Sequence, residues 1–271
     1  MVKFVSLSSG SNGNCYYIGN GESGLIIDAG IGPRTIKKRL LELGIPMDSV
    51  KFVLVTHDHI DHIKSLGILA QRVNIPVYAT AKLHTALSTH FCTRGKLNNS
   101  CARRTVVGEF NVYDENIRFI PFVVPHDATE TVGYYIEFFG VKFTFVTDAG
   151  NITDDIVKYA SMCNALILES NYDLDMLLGG GYTPELKLRI TKGNGHLSNE
   201  QTCSIIKRAW HNGMTHIFLC HLSENNNTPF LAQRAAQKAL ATMAKDAARN
   251  VVLLPLPRRT ASQIFEFEER I

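Results

Sequence analysis

Close cysteine pairs are missing from this chain. Its six cysteines, Cys15, Cys92, Cys101, Cys163, Cys203 and Cys220, contain no C-x-x-C spacing, which argues against a zinc knuckle and a disulfide framework. Most stand beside apolar neighbours, so they read as buried thiols of a reducing compartment. A secretory leader is missing too, because residues 1–7 lack the basic, apolar, small-residue order and read as a short strand. No apolar run approaches a membrane span. These absences point to a cytoplasmic protein with no membrane attachment. Pro/Ser-rich linkers, low-complexity stretches and short-period repeats are absent as well, so residues 1–271 are read as a single domain. Charge of one sign is scarce: a net +3 and a pI near 8.5 permit a polyanionic substrate without demanding one.

What the chain does have is concentrated metal chemistry. Apolar residues make up 45% of it and charged residues 20%, the balance of a soluble globular protein. After the apolar run Phe52-Val53-Leu54-Val55 comes His57-Asp58-His59-Ile60-Asp61-His62. An extended segment sends residues two apart to the same side, so His57 and His59 can converge on one ion while the following turn aims Asp61 and His62 at another. Neutral imidazole suits zinc, iron and related metals, and carboxylate compensates their charge. A polar turn that merely follows a buried strand is the bland alternative, and so dense a ligand set argues against it.

Strand signals cover residues 3–7, 16–19, 25–28 and 52–55, then 117–124, 131–139 and 141–146, with a hairpin at Gly140. Further buried strands are predicted at 165–168 and 215–219, and a last β segment near 263–267. Helices are predicted at 35–43, ending at Gly44, and at 63–73. Ser198 with Gln201 three positions later fits a capping box, and Ile206, Ala209 and Trp210 share a helix face. The last long helix begins at Thr228 with Pro229 in its first turn. This mixture predicts an α/β (α+β) architecture: two mixed sheets face to face with helices outside, a four-layer αββα sandwich.

Three further residues follow one rule, an apolar strand and then a metal-capable side chain. They are His126 after Phe122-Val123-Val124-Pro125, Asp148 after Phe143-Thr144-Phe145-Val146-Thr147, and His221 after Ile217-Phe218-Leu219-Cys220. Singly each could be a core histidine, a turn aspartate or the start of a loop. Four ligand sources placed alike favour a shared site.

With His57, His59, Asp61, His62, His126, Asp148 and His221 in this order, the chain resembles the metallo-β-lactamase-fold hydrolases over nearly its whole length. The finer resemblance is to the YycJ/WalJ-like branch, through Ser9-Gly10-Ser11-Asn12-Gly13-Asn14, Glu169-Ser170-Asn171-Tyr172, Gly195-His196-Leu197-Ser198-Asn199 and His221-Leu222-Ser223. That resemblance implies a dinuclear site, with His57, His59 and His126 on one metal, Asp61, His62 and His221 on the other, and Asp148 bridging. It also implies a DNA exonuclease with a link to mismatch repair and to repair-protein partners. The implied cofactors are two divalent ions, with zinc, manganese and iron all compatible with the donors. The expected mechanism is attack on phosphorus by a hydroxide shared between the metals.

Asp61, Asp148 and His196 are the residues expected to act in the reaction. In the related tRNA 3′-processing nucleases a histidine placed like His196 assists the leaving group or stabilises the transition state, and the resemblance carries that role here. Asp28 and Thr56 are expected to brace the ligand loop without touching an ion. Asn14, Asn171 and Arg189 are the candidate substrate contacts, with Lys187, Lys192, Arg94, Lys96, Arg103 and Arg104 as further cations that a phosphate backbone could use. The glycine-rich turn at residues 9–14 could offer amides to a phosphate or be only a tight connection. Other readings are an RNA-processing nuclease, a hydrolase of a small thioester, lactone or cyclic phosphodiester, and a non-enzymatic metal-stabilised module. Closed structural zinc sites favour cysteine, and this ligand set contains none.

Overall fold

The computed structural model of the protein describes residues 1–97, 103–243 and 251–269. Cys101 and residues 98–102 of the polar stretch lie outside it. Strands β1 (Val2–Ser8), β2 (Cys15–Gly19) and β3 (Gly24–Ile27) are followed by helix α1 (Pro33–Glu42) and β4 (Val50–Leu54). Short helices α2 (Ile60–Ile63) and α3 (Leu66–Ile68) lead to β5 (Val77–Ala79), α4 (Ala81–Thr89) and β6 (Arg103–Thr105). Then come β7 (Asn111–Val112), β8 (Ile117–Val123), β9 (Val132–Phe138), β10 (Val141–Val146), α5 (Asp154–Ala160) and β11 (Ala165–Glu169). Helices α6 (Leu174–Gly179), α7 (Pro184–Thr191) and α8 (Asn199–Ala209) precede β12 (His216–Cys220), α9 (Pro229–Ala241), β13 (Val252–Pro255) and β14 (Phe265–Phe267).

The strands form two seven-stranded sheets, ordered β14-β1-β2-β3-β4-β5-β6 and β13-β12-β11-β10-β9-β8-β7. Period-two alternation explains how one apolar run serves two cores. In β12, Phe218 and Cys220 join the core between the sheets, while Ile217 and Leu219 join a second core under the helices. Across the middle, Phe4 meets Phe218 with ring centroids 4.8 Å apart, and Phe52 meets Phe119 at 5.7 Å. Helix α1 buries Ile36 and Leu40 against the first sheet, and α5, α8 and α9 cover the second. The result is the predicted αββα sandwich.

The two sheets repeat one another. In the first, the pairings from β14 to β3 are antiparallel and those from β3 to β6 parallel. In the second, β7 to β10 pair antiparallel and β10 to β13 parallel. Each switch strand, β3 or β10, leads into Asp-Ala-Gly, at Asp28-Ala29-Gly30 and Asp148-Ala149-Gly150. Both glycines are closed in: an added Cβ would sit 1.6 Å from the Asp61 carbonyl oxygen at Gly30 and 2.4 Å from the Asn194 carbonyl carbon at Gly150.

The hairpin at Gly140 takes a two-residue turn with φ of 47° at Phe139 and 74° at Gly140, the left-handed pair that matches the twist of its strands. The expected capping box at Ser198 and Gln201 forms. The helix expected over residues 63–73 does not. The chain instead makes α2, α3 and a π-helical turn over Leu69–Val73, which ends at the left-handed Asn74. Tertiary bonds divide it: the Ser65 amide donates to the Ala29 carbonyl, and the Ser65 hydroxyl to that of Ile31. Among the described residues no helix is long and apolar enough to cross a membrane.

Candidate metal centre

The polar residues gather at the ends of the parallel strands, where β4, β10, β11 and β12 hand over to loops. His57, in the loop after β4, and His62, in α2, are fully buried. The rings of His57, His59 and His126 converge, with centroids 4.7 to 5.1 Å apart. Asp61, His62 and His221 make a second group, and in each trio the ligand atoms lie within 4.8 Å of one another. Asp148, 1% exposed, lies between them: Oδ2 is 3.2 Å from His62 Nε2, and Oδ1 is 2.9 Å from His221 Nδ1 and 3.8 Å from His126 Nε2. The seven residues singled out in the sequence are therefore brought together.

Hydrogen bonds decide which imidazole nitrogen faces the cluster. The Thr56 hydroxyl donates to Asp28 Oδ2 at 2.7 Å, leaving its oxygen 3.0 Å from His57 Nδ1 to accept that ring's proton. His62 Nδ1 donates to the same Asp28 oxygen at 2.7 Å, and His126 Nδ1 to the Gly195 carbonyl at 2.7 Å. The Nε2 atoms of these rings then face inward, those of His57 and His126 carrying lone pairs because burial keeps these two rings neutral. Those of His57, His126 and His221, with Asp148 Oδ2, are buried and have no hydrogen-bond partner. Asp28 and Thr56 touch these rings from behind, as expected of bracing residues.

Electrostatics tell the same story. Burial and the neighbouring His62 push His57 well below the usual imidazole range. Burial also opposes charge on His62, but Asp28 and Asp148 overcome it and raise that ring to about 10. Burial would lift the Asp148 carboxyl, yet His221 and His62 hold it well below the usual carboxylate range. So many carboxylates around one spot demand positive charge, which protons or cations can supply.

Glu169 belongs to the site, although the sequence offers it only within the Glu169-Ser170-Asn171-Tyr172 resemblance and not as a site residue. Its buried carboxylate ends β11, its Oε1 accepting from His196 Nδ1 at 2.7 Å and lying 2.9 Å from His221 Nδ1. Its Oε2 accepts from the amides of Ala149 at 2.9 Å and Leu197 at 3.1 Å. A signal exists, since Glu169 follows Ala165-Leu166-Ile167-Leu168 by the strand-end rule that marks Asp148 and His221. Burial opposes protonation of His196, and the Glu169 carboxylate overturns it, raising the ring above its usual pKa.

A cavity of about 180 Å³ opens beside His196, lined also by Asn171, Arg189, Tyr182, Asp127 and Ser11. Two of the substrate candidates, Asn171 and Arg189, thus face it, Arg189 through an ion pair of 2.5 Å from Nε to Asp127 Oδ2. Asn14 does not. It has no exposed surface, and its Nδ2 lies 3.2 Å from the Gly10 carbonyl, 3.4 Å from Asp61 Oδ2 and 2.9 Å from His62 Nε2, so it ties the ligand loop down. The amides of Gly10, Gly13 and Asn14 are bonded within the protein, which leaves the glycine-rich turn as a connection rather than a phosphate cradle. Among the other cations, Lys187 and Lys96 bond backbone carbonyls, Arg94 and Lys192 are exposed, and Arg103 and Arg104 sit on the edge strand β6. Cys15, Cys163 and Cys220 are buried and Cys92 and Cys203 half-buried, all of them free thiols.

Residues 24–221 match the family model of the beta-lactamase superfamily domain. The chain is 33% identical over 239 residues to exodeoxyribonuclease YycJ of Bacillus anthracis, covering 88% of this chain and 89% of that protein. Exodeoxyribonuclease WalJ of Streptococcus pneumoniae serotype 2 (strain D39 / NCTC 7466) is 31% identical over 239 residues, with 88% of each chain covered. Among solved structures, the metallo-beta-lactamase fold protein YhfI of Bacillus subtilis superposes with a TM-score of 0.68 at 16% identity, covering 96% of this chain and 98% of that one, a likeness of fold.

Proposed function

Because the chain belongs to the beta-lactamase superfamily, in the branch that holds YycJ and WalJ, we propose that this metal-dependent hydrolase is an exonuclease that cleaves phosphodiester bonds of DNA. One observation carries the metal part of this reading. Four inward-facing atoms, Nε2 of His57, His126 and His221 and Oδ2 of Asp148, are buried without partners. An unsatisfied buried polar group costs about 1–3 kcal/mol, so these four are costly unless a cation satisfies them. The donors fit two cations: His57, His59 and His126 would hold one, Asp61, His62 and His221 the other, with Asp148 between. The set is all nitrogen and oxygen, which suits zinc, manganese or iron and leaves coordination open for water.

Two bound divalent cations supply positive charge at the phosphate and an acidified water. The chain's own residues do the rest. Asp28 and Thr56 keep the His57 and His62 rings turned inward, and Asp148 offsets the charge of the metal pair. Glu169 holds the proton on His196 Nδ1, so that Nε2 is the atom that can donate a proton to the departing oxygen. Asn171 and Arg189 line the cavity in which the phosphate end of the substrate would rest. The names of the two relatives favour DNA over RNA, and a place in DNA repair within the cytoplasm accords with free thiols throughout the described residues.

The test is incubation of the metal-loaded protein with end-labelled single- and double-stranded DNA, RNA and a small phosphodiester, beside His59→Ala. Nucleotides should be released from DNA ends by the wild type and not by the variant. Equal activity in His59→Ala would exclude this site, and release from RNA alone would exclude the DNA assignment.

A further inference from the structure

The turn that follows α4 presents an aromatic ring to solvent. Phe91 is 63% exposed, and its ring stacks on that of His90 with centroids 4.6 Å apart and planes 30° apart. Local hydrogen bonds brace the turn beneath it. His90 Nδ1 accepts from the Cys92 amide at 3.2 Å, and the buried Thr93 hydroxyl donates to the Leu87 carbonyl at 2.5 Å. A preformed ring of this kind offers its face at little entropic cost.

Its surroundings identify the kind of guest. The turn packs on α3, the short helix that follows the histidine-rich segment: a Cβ added at Gly67 would sit 2.7 Å from the Cys92 carbonyl oxygen and 2.6 Å from Lys96 Cδ. Lys64 stands one helical turn beyond Ile60, which is 47% exposed between His59 and Asp61. Lys64 and Arg94 are exposed and make no ion pair among the described residues. None of these residues lines the cavity at His196, so the rim of the site carries two separate features. Stacking surface beside uncompensated cations suits a flexible polyanion with flat bases, because every unpaired base has a π-face and every linkage a charge.

We propose that an unpaired nucleic-acid strand runs past the metal cluster over residues 90–94, one base stacked on Phe91 and the neighbouring phosphates meeting Lys64 and Arg94. This rests on the nuclease reading for its biological meaning, but the platform can be tested apart from it. Binding of a labelled single-stranded oligonucleotide to the metal-free full chain is followed by fluorescence anisotropy for wild type, Phe91→Ala, Phe91→Trp and Arg94→Ala. Hydrolysis of the oligonucleotide and of a small phosphodiester by the metal-loaded forms is measured beside it.

Phe91→Ala should weaken strand binding about 10- to 100-fold and lower the ratio of oligonucleotide to small-diester kcat/KM by a similar factor, while Phe91→Trp restores both. Arg94→Ala should make the slope of log affinity against log salt shallower by about one. Strand binding unchanged in Phe91→Ala overturns the platform, and it does so even if the wild type degrades DNA, which leaves the nuclease reading standing. Weakened binding in Phe91→Ala with no cleavage of nucleic acid by the wild type supports the platform and removes the nuclease reading instead.

Discussion

Asp28 and Asp148 occupy the same place in two matching halves, each after the strand where its sheet changes from antiparallel to parallel pairing and each followed by Ala-Gly. Asp28 is fully occupied: Oδ1 accepts from the Thr56 amide at 2.9 Å, and Oδ2 from the Thr56 hydroxyl and His62 Nδ1, both at 2.7 Å. Asp148, equally buried, accepts no hydrogen bond at Oδ2, which has only an ion-pair contact of 3.2 Å with His62 Nε2. The left-handed φ of 58° at Asp28 helps turn its carboxylate back toward the ligand loop. One backbone device therefore yields two roles, and what separates them is whether the protein itself completes the carboxylate's hydrogen bonds. A satisfied buried charge positions its neighbours, whereas an unsatisfied one waits for a cation.

The largest break in that comparison comes from Asp148→Asn. Hydrolysis should fall about 10³-fold or more, and the bound-metal content measured by elemental analysis should drop, since the substitution removes a charge that faces the ions. Activity near wild type would mean that the two aspartates do not differ as described. Asp28→Asn should cost less in turnover, about 10- to 100-fold, as for other partners that orient a ligand. It should cost more in folding, about 1–3 kcal/mol by chemical denaturation without metal, because the amide cannot accept all three bonds. The two variants should thus rank oppositely in activity and stability.

The smallest effect sharpens the contrast. Chelation should lower the stability of the wild type, by about 2.7 kcal/mol relative to protein with metal at a hundred times its dissociation constant. Asp148→Asn should show little of that dependence, because the carboxylate that faces the ions is gone. A metal-dependent shift in that variant equal to the wild type's would dissociate Asp148 from ion binding.

Much of this is legible in the amino-acid sequence alone. Strand length and the rule that a ligand follows an apolar strand locate the seven clustered residues, because those signals are local and repeat. Glu169 obeys the same rule, but a lone glutamate after a strand looks like a solvated turn until α8 and the His196 loop close over it. Residues 63–73 have helical pattern, and the Ser65 bonds to the loop after β3 that divide them are invisible to a local reading. Asn14 looks available for substrate because its turn is rich in glycine, yet that turn folds inward against Asp61 and His62. The short strands β5 and β6 owe their form to pairing with neighbours, which no three-residue window encodes.

The ion pair between Arg189 and Asp127 at the cavity rim has a bearing on access. An arriving phosphate finds that guanidinium already engaged and must outcompete a carboxylate to reach it. With 62% of the Arg189 side chain exposed, displacing the carboxylate costs an anion only about 0–1 kcal/mol, so the pair orients the guanidinium at the rim without closing it to ligands.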